Sequence, residues 1–546
     1  MQALKFTFLL VGFGCCAIVA FSQVPQHKPQ NIVLIVADDL GYADLGCYGG
    51  DIETPNLDAL AKQGMRFSQF HAAPLCAVTR AMLLSGNNNH IAGMGRQDRK
   101  TAVEGYEGYL SDRIVPFPLL LQQAGYHTYM AGKWHLGTRP QDGPLHKGFE
   151  HSFVTLEGGA NHYSGKGIFV ETPESVYIED GQPAAWKGGD YSTDFYTDKL
   201  MAYIDRNKHD ARPFFVYAAY TSPHWPLQVD EKYWRKYEGR YDEGYEVLRQ
   251  RRLESLKQAG MVEADHQLPA LNPRVRPWNS LTKAEKKWEA RKMELYAGMV
   301  HNLDENIGRL IRYLKQIGQY DNTLFVFMSD NGAAAEDFYY HDHFGPFLRQ
   351  HYTDAYEKMG GPGSFISYGP QWAEAGSAPF RYFKGYTTEG GMIAPMIISG
   401  AAVTSSGSIS HAFCTIMDLA PTFLEKAGIP YPAAFNGKKA HPLRGASLNA
   451  LLAGAKQNIH DEHYVFGIEH EGYVMVRKGP WKLVNIIRPF DPVNFALYHL
   501  EKDPVEAQDL RARYPEKFQE MLKEWENFSK EVKVKMPTPV QGEGFD

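Results

Sequence analysis

The sequence predicts an α/β fold in which a large, mixed but mostly parallel sheet is sandwiched by helices and followed by a smaller α+β region with an antiparallel sheet. Three observations predict it. Continuous β-branched and apolar runs, the kind that fill strands buried on both faces, recur along the chain. Helical stretches stopped by glycine alternate with them. From about residue 456 the texture changes to closely spaced short strands and then a charged amphipathic helix.

In chain order, Ile32 to Val36 is the first buried strand, and Leu57 to Gln63 is a short helix stopped by Gly64. Phe117 to Ala124 is a second helix, closed by Gly125, and Tyr126 to Met130 is the next strand. Phe214 to Ala219 and Leu324 to Met328 are two further core strands. Between them, Val300, Leu303, Ile307, Leu310, Ile311 and Leu314 form one helical face with Gly318 just past its end. Residues 229–293, rich in Arg, Lys and Glu, read as exposed helices inserted between two core strands. Residues 333–379 are dense in Tyr, Phe, His and Gly without a period, and a loop that long is functional or disordered. Tyr464 to Phe466, Tyr473 to Val476 and Trp481 to Ile486 read as antiparallel strands, and Tyr514 to Phe528 as the amphipathic helix.

Lys5, the apolar run Phe6 to Ala20 and the small residues before Gln23 make residues 1–22 a secretory signal peptide. A lipoprotein reading at Cys15 is disfavoured by Gly12, which stands where leucine is wanted. The expected organisation is therefore a signal peptide over 1–22, an α/β domain over 23–455 and a C-terminal α+β subdomain over 456–546. No later stretch is long enough to span a membrane. The mature chain is expected to be exported, to a periplasmic or extracellular location. A net charge of −6 without basic clusters excludes a nucleic-acid partner. Cys47, Cys76 and Cys414 remain after the signal; an oxidising compartment permits a Cys47–Cys414 disulfide, and nothing in the sequence requires it.

Three core strands run into polar residues: Asp38-Asp39, Thr221-Ser222-Pro223-His224 and Asp330-Asn331-Gly332. Ligands in open α/β sheets sit beyond the carboxyl ends of the strands. Asp38, Asp39, Asp330 and Asn331 offer only oxygen ligands, which select Ca²⁺ or Mg²⁺ over zinc, and the room for further oxygens favours Ca²⁺. Cys76 lies four residues before Arg80 at the start of an apolar helical run. That spacing puts both side chains on one helix face, at a terminus suited to an anion. The plain alternative for an isolated C-x-x-x-R is a small buried cysteine beside a surface arginine. Lys133 and His135, two apart in an extended segment, point to the same side. Lys384 sits in a glycine-rich segment and by itself reads as a surface lysine.

Together these segments resemble the type I, formylglycine-dependent sulfatase family, the arylsulfatase branch of the alkaline phosphatase superfamily. The markers are Ala37-Asp38-Asp39-Leu40-Gly41, the Cys76 to Gly86 segment, Ala131 to Gly137, Ser222 to Pro226, Ser329 to Gly332 and the Lys384 segment. The resemblance implies an alkaline-phosphatase-like fold and hydrolysis of a small-molecule or glycan sulfate ester to an alcohol or phenol plus sulfate. It implies that a maturation enzyme oxidises Cys76 to formylglycine, and that Asp38, Asp39, Asp330, Asn331 and the modified Cys76 hold one Ca²⁺. Arg80, Lys133, His135, His224 and Lys384 would line the sulfate pocket. A hydrated aldehyde has two geminal oxygens: one attacks sulfur in line while Arg80, Lys133, Lys384 and the metal neutralise charge. His224, with Lys384, would protonate the departing alcohol, and His135 would take the proton of the second hydroxyl as sulfate leaves. One departure from the family pattern is Val78, where proline or alanine is usual and the modifying machinery reads the residue.

Two other functions fit the same residues: a phosphonate monoester or phosphodiester hydrolase of the same superfamily, and a non-catalytic sulfated-glycan-binding protein whose Cys76 stays a thiol. His341 and His343 are expected to be pocket wall or surface rather than second-metal ligands.

Overall fold

The computed structural model describes residues 30–536 except 98–99, 187 and 402; the expected signal peptide lies outside the described residues. Ten strands form one sheet, in the edge-to-edge order Ser408–Ser410, Met65–Phe67, Met396–Ser399, Thr323–Ser329, Asn31–Ala37, Phe214–Ala219, His127–Lys133, His151–Thr155, Tyr177–Glu179 and Gln182–Ala184. The five strands from Thr323–Ser329 to His151–Thr155 are parallel, and antiparallel strands flank them on both sides.

Alternation along the first strand divides the core. Ile32, Leu34 and Val36 face an apolar layer that holds the Cys76–Ser85 helix and continues into the C-terminal sheet through Phe466, Ile468 and Val474. Val33, Ile35 and Ala37 face the opposite layer, dominated by the 34-residue helix Lys283–Gln316. A strand buried on both faces must be apolar at every position, which is why Asn31–Ala37 carries no alternating polar residues.

The C-terminal sheet is antiparallel in the order Val465–His470, Tyr473–Lys478, Trp481–Asn485 and Ala496–His499, with the Pro515–Glu531 helix packed on it through Met521, Trp525 and Phe528. The fourth strand was not foreseen; at four residues it is too short to show a period.

The structure corrects the exposure expected of one insertion and the bounds of two elements, and it decides between the alternatives left for residues 333–379 and for the cysteines. The 229–293 insertion is not a set of exposed helices. Helix Tyr245–Gln258 buries Tyr245, Leu248, Arg249, Arg252, Leu253 and Leu256, and the helix before the Thr323–Ser329 strand begins at Lys283 rather than near Val300. Some of its charges are buried as pairs: Arg252 reaches Asp44 at 2.6 Å and Asp51 at 2.9 Å, and Arg291 reaches Glu294 at 2.6 Å, while Arg235, Arg251 and Arg276 pair at the surface. Residues 333–379 are ordered, with helices Gly345–His351 and Gly369–Gly376 and an aromatic cluster of Trp225, Phe338, Tyr339, Tyr352 and Phe365. The strand expected at Tyr126 to Met130 runs from His127 through Lys133. Cys47 and Cys414 are both free thiols.

Arg252 bridges two carboxylates, and Asp44 in turn accepts from Tyr296 Oη at 2.6 Å and from the Gly41 backbone at 2.8 Å. Arg252→Leu strands the fully buried Asp44 carboxylate and removes the partner of the half-buried Asp51. It is expected to lower the unfolding free energy by about 3–5 kcal/mol, read as a lower urea midpoint.

Candidate active site

The parallel register brings the polar strand ends to one edge. Val36 pairs with both Ala219 and Met328, Ala37 pairs with Ser329, and Ala219 pairs with Gly132. Asp38, Asp39, Asp330, Asn331 and the Thr221–His224 turn therefore leave the sheet side by side. Gly132 makes the last pairing possible: at φ +119° it lies so close to its neighbour that a Cβ would stand 1.8 Å from Ala219 O.

Helix Cys76–Ser85, every residue of it buried, supplies two groups from its first turn and a half. Cys76 Sγ stands 3.6 Å from Asp39 Oδ1. Arg80 donates to Asp330 Oδ2 from Nε at 3.2 Å and from Nη2 at 2.8 Å, and from Nη1 to the Lys133 carbonyl at 3.0 Å. Lys133 Nζ meets both oxygens of Asp38 at 2.9 Å. Lys384 Nζ donates to Asp39 Oδ2 at 2.8 Å and lies 3.5 Å from Glu336 Oε1. Asp39 itself takes the left-handed conformation at φ +67°, and its backbone N–H donates to Asp330 Oδ1 at 3.1 Å. Asn331 Nδ2 donates to Asp39 Oδ1 at 2.7 Å.

His224 Nδ1 donates to the Trp225 carbonyl at 2.7 Å, which leaves Nε2 facing Asp39 Oδ2 at 3.5 Å. His135 is 7% exposed and adopts φ +56°, so the extended alternation expected to align it with Lys133 does not hold there. Gly158 and Gly159 form a wall common to both imidazoles. A Cβ on Gly158 would stand 2.7 Å from His135 Cε1, and one on Gly159 would stand 3.0 Å from His224 Cε1. The structure thus brings together Asp38, Asp39, Cys76, Arg80, Lys133, His224, Asp330, Asn331 and Lys384, with His135 on the shared glycine wall.

Charge is the governing property of this cluster. Three cationic side chains, Arg80, Lys133 and Lys384, face four carboxylates, Asp38, Asp39, Asp330 and Glu336. Burial, with Asp330 and Asp39 adding to it, pushes the Asp38 carboxyl above its ordinary range despite Lys133 and Arg80. Burial acts the same way on Asp39, but Lys384, His224 and Lys133 outweigh it and hold that carboxyl low. Burial, reinforced by Asp330, also raises the Cys76 thiol, so an unmodified Cys76 is a neutral thiol rather than a thiolate.

The oxygen donors of this cluster suit a hard cation. Carboxylate oxygens of Asp38 and Asp39 lie within 4.8 Å of each other and of ligand atoms of Cys76 and His224, whose unmodified thiol and imidazole are softer donors. Asn331 Oδ1 is buried and accepts no hydrogen bond, which is an outstanding requirement that a cation would meet. His341 and His343 stay outside this group. His343 is exposed beside Glu171 at 3.1 Å, and His341 packs on Phe338.

Two groups escaped the sequence reading. Glu336, five residues past Asn331, carries no marker beyond its proximity to that turn. His162 reaches the site across 62 positions: Nε2 donates to the His224 carbonyl at 3.0 Å, and Nδ1 accepts from Ser192 Oγ at 2.7 Å.

Comparison with known proteins decides the family: the sulfatase family model matches residues 30–429. The chain belongs to the sulfatase family. A second model, for the C-terminal region of N-sulphoglucosamine sulphohydrolase, matches residues 380–535. The sulfatase is 38% identical over 436 residues to the arylsulfatase of Klebsiella aerogenes, covering 79% of this chain and 93% of that one. It is also 38% identical over 538 residues to an uncharacterized sulfatase of Schizosaccharomyces pombe, covering 94% and 96%. The crystal structure of Ps i-CgsB, solved also in complex with k-i-k-neocarrahexaose, superposes with a TM-score of 0.66 at 26% identity, over 92% of this chain and 93% of that one. This sulfatase is accordingly a sulfuric ester hydrolase.

Burial lowers the pKa of His162 from 6.5 to about 4. Above pH 6.5 the ring is neutral whether the chain is folded or unfolded. Below it the unfolded chain takes up a proton that the folded one does not, so stability is lost as pH falls from 6.5 toward 4. The contribution is at most about 1.4 kcal/mol per pH unit. His162→Gln is expected to flatten part of this acid dependence in urea titrations, leaving the shares of the other histidines that burial lowers, among them His266, also to about 4, and His71, His224, His301, His441 and His470.

Proposed function

We propose that this sulfatase cleaves sulfate monoesters with a formylglycine made from Cys76 and one bound Ca²⁺, and that it works after export. The observation that carries the reading is the charge balance around Cys76. Arg80, Lys133 and Lys384 are each already paired with a carboxylate (Asp330, Asp38 and Asp39), so little positive charge is left for a sulfate ester; a divalent cation among those carboxylates would supply it and free the three side chains. Asp38, Asp39, Asp330 and Asn331 would hold the ion, with the modified Cys76 as a further ligand. Bound there, Ca²⁺ supplies Lewis acidity and compensates charge on the sulfuryl oxygens.

The chain's own groups then have distinct tasks. Arg80, Lys133 and Lys384 share their donors between the carboxylates and the sulfuryl oxygens, fixing the group for in-line attack at sulfur. With Nδ1 donating to the Trp225 carbonyl, His224 carries a proton on Nε2 only as the imidazolium; burial opposes that form and Asp39, 3.5 Å from Nε2, favours it. The proton for the departing alcohol comes from His224 in that form together with the Lys384 ammonium on the same Asp39 carboxylate. His135, across the glycine wall, takes the proton whose removal expels sulfate and restores the aldehyde. Cys76→Ala removes the nucleophile and leaves the anion pocket intact.

The alcohol portion is proposed to be a phenol or a sugar, in keeping with the arylsulfatase relative and with the glycan complex of Ps i-CgsB. The maturation enzyme is proposed as an upstream partner. Export rests on the apolar run and small-residue cleavage site of residues 1–22.

Three measurements test this. The tryptic peptide Phe67 to Arg80 from natively produced protein should show CH₂SH replaced by CHO; a free thiol favours the glycan-binding alternative. Cys76→Ala should abolish 4-nitrophenyl sulfate turnover, and matched sulfate, phosphate and phosphonate esters should favour sulfate. Removing the ion with EGTA should lower both turnover and the thermal midpoint, and Ca²⁺ should restore both, as binding to the folded state alone requires. A midpoint indifferent to EGTA would refute the cation assignment.

A further inference from the structure

Lys482 is fully buried in the C-terminal sheet, and none of the chemistry above uses it. Its Nζ stands 2.6 Å from Glu389 Oε1 and 2.8 Å from Glu506 Oε1. The other oxygen of Glu389 lies 2.9 Å from His71 Nε2, and the other oxygen of Glu506 accepts the Glu389 backbone N–H at 2.8 Å. Buried ion clusters seldom stabilise more than apolar packing of the same volume, because desolvation offsets the attraction. Their distinctive property here is that they hold a single geometry.

What this one holds is the strap of residues 381–392, which carries Lys384. On the side of the C-terminal sheet, Arg381 Nη1 donates to the Glu506 carbonyl at 3.1 Å and Thr387 Oγ1 donates to the Val474 carbonyl at 3.1 Å. On the side of the active site, the Lys384 N–H donates to the Ala333 carbonyl at 3.1 Å and the Gly385 N–H to the Pro74 carbonyl at 2.9 Å. A Cβ on Gly332 would stand 2.1 Å from Gly390 O, so the strap lies directly against the Asn331 turn. Through His71, five positions before Cys76, Glu389 also ties the approach to the nucleophile into the same cluster.

We infer that the C-terminal sheet positions the active site, and that Lys482, acting through Glu389 and Glu506, is a positioning residue for Lys384. The inference rests on the sulfate-pocket role of Lys384 proposed above.

The test is a double-mutant cycle on the full, matured enzyme with 4-nitrophenyl sulfate: wild type, Lys482→Met, Lys384→Ala and the pair. Lys482→Met is expected to lower kcat/KM by about 10- to 100-fold, mainly in kcat, because small misplacements of a reacting group cost that much. With Lys384 already alanine, the same change should cost less than about 2-fold. A merely structural role predicts the same factor in both backgrounds, and that result overturns the inference. If Lys482→Met does not fold, Thr387→Val deletes only the strap's hydroxyl bond to Val474 and runs the same cycle. There a loss of about 2- to 10-fold confined to the Lys384 background supports the inference, and an equal loss in both, or none, overturns it. Undiminished turnover by Lys384→Ala alone is a different result: it removes the role of Lys384, and the positioning of Lys384 falls with it.

Discussion

Everything in this molecule depends on compensating carboxylates that the fold buries together. Parallel strands in register must end together, and here they end in Asp38-Asp39 and Asp330-Asn331. Taking these charges from water is costly unless cations accompany them into the same space. Arg80, Lys133 and Lys384 are that accompaniment, and each arrives on a different element: a helix, a strand and a strap. The anion pocket is thus a by-product of a folding requirement. The groups that make the carboxylates tolerable are the same ones that can turn to a sulfuryl oxygen.

Conventional packing supports this arrangement. Two apolar layers clamp the sheet, and the long Lys283–Gln316 helix braces the Asp38-Asp39 turn through Tyr296, whose hydroxyl stands 3.5 Å from the Asp39 carbonyl. The left-handed backbone of Asp39 is a cost that such bracing sustains. Rigid support on both sides matters because the chemistry is mostly charge placement, and misplaced charge helps little.

Much of this was legible in the sequence for a simple reason. Buried parallel strands are apolar throughout, so Ile32 to Val36, Phe214 to Ala219 and Leu324 to Met328 stand out, and the polar residues just past them mark one edge. Misreadings arose where composition and burial part company. Arg249, Arg252, Arg291 and Glu294 look like solvent-facing charge but are buried against one another and against Asp44, Asp51 and Glu374. Lys133 closes a strand whose last residues carry no apolar signal, and His135 lies in a conformation that periodicity cannot express. His162 and Lys482 were invisible because their meaning lies wholly in contacts made across long stretches of chain.

The burial of the Cys76–Ser85 helix also sets an order of events. Cys76 is 2% exposed, and Val78 is wholly enclosed in the apolar layer beside Ala77 and Ala81. A second protein that grips this stretch as an extended peptide has no way to reach it once the sheet has closed. The conversion of Cys76 proposed above would therefore belong to the interval between synthesis and folding. In the folded chain Val78 is a packing element, enclosed in the layer that the helix shares with the sheet.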